Sequence, residues 1–142
     1  LENNEIKVTQ GQGILVSHLS VPDFQLALDY WVSDKTKVTI FFRCVNPESI
    51  NTDTAYEVTL VNEAGGLGAG SILSLNKVKP TQVANQWNHI QISAIGTQLS
   101  VTLNGVTHQV TDTRFSSGPI AINYLGGDLR LKNIYLTIPG RW

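Results

Sequence analysis

Five side chains stand where chemistry could be done: Asp29, Trp31, Arg43, Glu57 and Asn123. Two carboxylates with an arginine can do general acid–base work, one carboxyl being protonated and the other ionised. On that reading Asp29, Glu57 and Arg43 are the catalytic candidates, and Trp31, Arg43 and Asn123 are the substrate-binding ones. Trp31 offers an aromatic face that could stack against the apolar side of a ring. The same residues admit a structural reading, in which Arg43 forms a salt bridge that satisfies Glu57 or Asp29. Residue type alone does not choose between them.

Other chemistries find less support. His18, His89 and His108 show no metal-ligand spacing, and Cys44 is the only cysteine, so an internal disulfide and a multi-cysteine zinc site are excluded. Cys44 is expected to act as a small apolar strand residue. No cofactor is predicted, and a divalent metal stays open. There is no Gly-x-Ser-x-Gly elbow for a serine nucleophile. The glycine-rich stretch 65–70 lacks a Gly-Lys-Ser/Thr ending and precedes an apparent strand, so it is not expected to cradle phosphate. A formal net charge of -1 and the lack of a Lys/Arg run argue against nucleic acid as a partner. No apolar run is long enough to insert into a membrane. The chain contains no methionine, so it is expected to be a mature form or an excerpt of a longer protein with neighbouring domains.

The candidates depend on strands to position them. In residues 24–32, Phe24, Leu26, Leu28 and Tyr30 alternate with Gln25, Ala27, Asp29 and Trp31, and the mixed second set suggests a groove. In 38–44, Val38, Ile40 and Phe42 alternate with Thr39, Phe41 and Arg43; in 55–62, Tyr56, Val58 and Leu60 oppose Glu57 and Thr59. A strand over 118–123 ends at Asn123. Alternation thus sets all five candidates opposite the main apolar set of their own strands, and they are predicted to share one concave surface.

The most firmly readable stretch is 86–110. Asn104-Gly105 suits a type I′ turn, which needs positive φ at both central residues. Leu103 then faces Val106, Val101 faces His108 and Leu99 faces Val110. Gly96-Thr97 makes the preceding turn and pairs Ala94 with Leu99, Ile92 with Val101 and Ile90 with Leu103. Every apolar residue except Trp87 and Ile95 falls on one face; Trp87 is expected to pack as structure, and His108 to be a neutral core or edge residue. Further strands are predicted over 13–19, 71–75 and 129–138, after a polar, frayed lead-in at 1–12. Tyr124 and Trp142 have too little context to assign. About ten short strands with no helical period predict an all-β antiparallel sandwich, one domain over 13–142.

Landmarks along that domain resemble a known family. They are Gly13-Ile14-Leu15, Asp23-Phe24-Gln25-Leu26, Ile40-Phe41-Phe42-Arg43, Tyr56-Glu57-Val58, Gln86-Trp87-Asn88, Leu103-Asn104-Gly105, Gly118-Pro119-Ile120 and Lys132-Asn133-Ile134. In this order they resemble the concanavalin A-like domains related to 3-keto-disaccharide hydrolases. The resemblance implies a two-sheet jelly roll of the lectin/glucanase type, with carbohydrate handled on its concave face, in secreted, periplasmic or cell-surface proteins. Trp31 would then stack on a pyranose, and the carboxylates would act on a glycosidic bond. Two departures matter. Lys37-Val38-Thr39 stands where the family tends to carry Asn-Ser-Gly, and Asn123-Tyr124-Leu125-Gly126 lacks the family's late histidine. Glycan binding, hydrolysis of a 3-keto-glycoside, and a non-catalytic structural or adhesion module all stay open at this point.

Overall fold

A computed structural model of the chain describes residues 5–139. Its strands are β1 (Ile6–Val8), β2 (Gly13–Val16), β3 (Phe24–Val32), β4 (Lys37–Phe42), β5 (Tyr56–Thr59), β6 (Trp87–Ile95), β7 (Gln98–Leu103), β8 (Val106–Thr111), β9 (Ala121–Gly126) and β10 (Leu129–Thr137). They form two antiparallel sheets, a six-stranded one in the order β1-β10-β3-β6-β7-β8 and a four-stranded one in the order β2-β9-β4-β5.

Alternation decides which side of each sheet turns inward. Leu28 and Tyr30 of β3, Ile90 and Ile92 of β6, and Leu99 and Val101 of β7 meet Val38, Ile40 and Phe42 of β4 and Val58 of β5 in one core. Full burial of such a side chain contributes roughly 1.5–3 kcal/mol, and a one-residue slip would turn the whole set outward, so the register is strongly held. Phe24, Phe42, Tyr56 and Phe115 continue the core ring to ring, with successive centroids 5.5, 5.2 and 4.9 Å apart.

The meander has the expected register: Ala94, Ile92 and Ile90 pair with Leu99, Val101 and Leu103, which pair in turn with Val110, His108 and Val106. Asn104 and Gly105 take φ of 48° and 88°, and Gly96 takes 59°. His108 is an exposed residue on the edge strand β8.

Two segments differ from expectation. Residues 71–75 do not make a strand; Ile72 bridges Val58 alone. The Asn76 side chain accepts the Ile72 N–H at 2.7 Å and Leu75 N–H turns back to the Ile72 carbonyl, so the chain coils before pairing can spread. Within the lead-in, β1 pairs with β10 because Val8 packs against the core. Tyr124 is buried, with its hydroxyl donating to the Gly127 carbonyl, whereas Trp142 lies outside the described residues.

A second, smaller core lies on the outer side of the four-stranded sheet. Phe41 and Ala121 point away from the main core and are covered by Cys44, Ala55 and Ile50. The covering segment, 45–55, is closed by the Val45 N–H donating to Thr54 O at 2.8 Å and by Thr54 Oγ1 donating to Ser49 O at 2.7 Å. Cys44 is buried there, and desolvation pushes its thiol up to about 11, so it stays a thiol at neutral pH.

Candidate functional site

The outer side of the six-stranded sheet is polar and is organised in rows by the register. One row runs Thr137, Gln25, Ser93, Ser100, Gln109, and the next Tyr135, Ala27, Gln91, Thr102, Thr107. All of them but Thr107 line a groove of about 370 Å³. Beyond them Lys132, Asp29 and His89 stand abreast, followed by Arg130, Trp31 and Trp87.

Asp29 is the centre of this second half. His89 Nδ1 lies 2.7 Å from Asp29 Oδ1, and Asn133 Nδ2 donates to Oδ2 at 2.8 Å. Partial desolvation alone would raise the Asp29 carboxyl. The hydrogen bonds from Asn133 and His89, with the electrostatic pull of the imidazole and of the Lys132 ammonium, outweigh it and hold the group below its ordinary value. Asp29 is therefore a carboxylate that accepts from His89, which puts the proton on Nδ1 and leaves Nε2 for the solvent side. Asn133 reaches Asp29 through a β-bulge. The register shifts between Lys132 and Tyr135, and Asn133 takes a φ of 53°, a left-handed conformation that asparagine tolerates better than most residues.

Trp31 and Trp87 are cross-strand partners and each carries a cation. The Arg130 guanidinium lies 5.0 Å from the Trp31 ring centroid, and the Lys132 ammonium 3.9 Å from that of Trp87. Trp87, expected to be packing, instead belongs to this half-open surface.

The five candidates are not on one surface. Asp29 and Trp31 lie on the outer side of the six-stranded sheet. Glu57 and Asn123 lie on the outer side of the four-stranded sheet, linked through Thr39, which pairs with Asn123 and donates to Glu57 Oε2 at 2.7 Å. Desolvation raises the Glu57 carboxyl, the Thr39 bond opposes this, and Glu63 adds to it. Sheets pack about 10 Å apart and both carboxylates face away from the core, so Asp29 and Glu57 cannot flank one glycosidic bond at the roughly 5–9.5 Å that a carboxylate pair requires.

Arg43 is on neither surface. Its φ of 52° breaks the alternation just after β4 and turns the side chain inward, where it is 1% exposed. It donates to Pro22 O at 2.9 Å, Gly96 O at 2.7 Å, Phe115 O at 3.3 Å and Asp23 Oδ1 at 3.2 Å. Its ion-pair partner is thus Asp23, not Glu57 or Asp29, and it ties three loops at one end of the sandwich.

His89, Asn133, Arg130 and Lys132 are the residues that sequence reasoning did not select. Asn133 was within a family landmark, but only the bulge makes its role visible. Among the described residues no group of three or more His, Cys, Asp or Glu gathers to hold a metal ion.

An all-β, two-sheet sandwich with one covered and one open, polar outer side defines a concanavalin A-like domain. The chain belongs to the family of 3-keto-alpha-glucoside-1,2-lyase-like domains, whose family model matches residues 1–137. Solved structures with the same fold include a candidate glycosyl hydrolase from Parabacteroides distasonis, 14% identical, with a TM-score of 0.83 over 96% of this chain and 87% of that one. The carbohydrate binding module CBM66 from Bacillus subtilis is 19% identical, with a TM-score of 0.69 over 92% of this chain and 84% of its own. The Caenorhabditis elegans galectin LEC-6 is 14% identical, with a TM-score of 0.58 over 96% of this chain and 98% of its own. No curated protein gives a significant match.

Proposed function

We propose that the chain is a glycan-binding module whose ligand lies across the outer side of the six-stranded sheet. The observation that carries this reading is the set of rows. Amide and hydroxyl side chains at Gln25, Gln91, Ser100, Thr102 and Gln109 surround a groove, and the Asp29 carboxylate and the Trp31/Trp87 pair stand further along the same strands on the same side. Amides, hydroxyls and a carboxylate match the donors and acceptors of a sugar, and aromatic rings suit its apolar faces. Neighbours of the same fold that are named as a carbohydrate binding module and a galectin support the class of ligand. Cell-surface, secreted or periplasmic placement fits such a module. Calorimetry against a panel of neutral and acidic oligosaccharides tests the reading: the wild type is expected to bind and the Trp31→Ala/Trp87→Ala variant to lose binding with its fold intact. If no member of the panel binds the wild type, the reading falls and a structural module takes its place.

A second reading is favoured by one observation, the 2.7 Å contact between His89 and an ionised Asp29. A carboxylate that holds Nδ1–H leaves Nε2 as a base. In a 3-keto-glucoside the C2 proton is acidified by the neighbouring carbonyl. Its removal by Nε2 would let the C2–H electron pair form a C1=C2 double bond, with the C1–O bond breaking and the leaving oxygen taking a proton from water. Incubation with a 3-keto-glucoside should then give an ultraviolet-absorbing enone that His89→Ala abolishes; no enone from the wild type would remove this reading.

A further inference from the structure

We propose that the glycan bound on this side is acidic, its carboxylate received between Arg130 and Lys132; the proposal rests on the glycan-binding reading and names its ligand class. Both cations come from β10, two residues apart on the same side of the strand. Each stands over an indole, Arg130 on Trp31 and Lys132 on Trp87, and among the described residues neither has a carboxylate within salt-bridge distance. Asp29 is the only acidic residue on the six strands of this sheet, and its two oxygens are already engaged by His89 and Asn133. The chain as a whole carries a net charge of -1, so the excess of positive charge here is local.

The ring contacts matter because they hold long side chains that would otherwise lose rotamer freedom on meeting a ligand. A guanidinium fork and an ammonium held above an aromatic floor suit a planar carboxylate, which the fork can take with two parallel hydrogen bonds. The sugar ring bearing that carboxylate would lie towards the amide-lined groove.

The test compares free-acid and methyl-ester forms of the same chains by calorimetry at low salt: tetragalacturonate, tetramannuronate and their methyl esters, with inorganic polyphosphate as competitor. For at least one pair the acid is expected to bind about tenfold tighter than its ester. Arg130→Gln/Lys132→Gln should bring the ratio of acid to ester affinity down to about one. Esters that bind as well as the acids overturn the proposal and leave the glycan-binding reading standing. Displacement of the acid by polyphosphate at equal charge also overturns it, since charge alone would then explain binding. Failure of the acids, the esters and the neutral panel alike removes both.

Discussion

On the four-stranded sheet, Phe41 and Ala121 point away from the main core and are covered by the 45–55 segment. On the six-stranded sheet, Asp29, Trp31, Trp87 and His89 occupy equivalent outward positions of their strands and stay partly open to solvent. The same two-residue period builds both. The second side of a strand becomes a further core where its residues are apolar and a loop closes over them, and a ligand surface where they are polar and no loop does. Glu57 and Asn123 belong to the first kind of side and Asp29 and Trp31 to the second, which is why they cannot act together.

The largest effect expected from breaking this arrangement is in neither face but in the node that joins the loops. Arg43→Ala strands three backbone carbonyls and Asp23, and the predicted loss is about 3–5 kcal/mol of stability, read by denaturant unfolding, rather than a selective loss of sugar affinity. Phe41→Ala should cost about 3 kcal/mol by opening the covered side, with ligand affinity kept for the molecules that stay folded. Trp87→Ala, on the open side, is expected to do the reverse: less than about 1 kcal/mol of stability, read by thermal unfolding, and about tenfold in glycan affinity.

The smallest effect is in pH. Asp29 has its carboxyl held below the ordinary value, so the unfolded state takes up the proton first as pH falls. The stability it contributes is present above about pH 4 and is lost as pH drops through the lower folded value. Stability curves of wild type and Asp29→Asn should therefore differ at neutral pH and converge in acid. A constant difference down to strong acid would show that Asp29 is not held as described.

Much of this was legible in the residues. Asn104-Gly105 and Gly96-Thr97 set the meander, and the alternation in 24–32 set Asp29 and Trp31 apart from the core. Alternation reports only which side of its own strand a residue takes. It does not say which sheet the strand joins, so it cannot separate Glu57 and Asn123 from Asp29. It also fails where the backbone leaves the β region, as at Arg43, whose positive φ turns an outward position inward. The Asp29–His89–Asn133 cluster needs β3 to pair with both β6 and β10, contacts that span 60 and 104 residues and leave no local trace.

The claim that the six-stranded side is the ligand surface is tested most directly by amide chemical shifts during titration with a bound oligosaccharide. Perturbed amides are expected to cluster at Ala27, Asp29, Trp31, Trp87, His89 and Gln91. A cluster at Thr39, Glu57 and Asn123, with the six-stranded sheet unmoved, would contradict it.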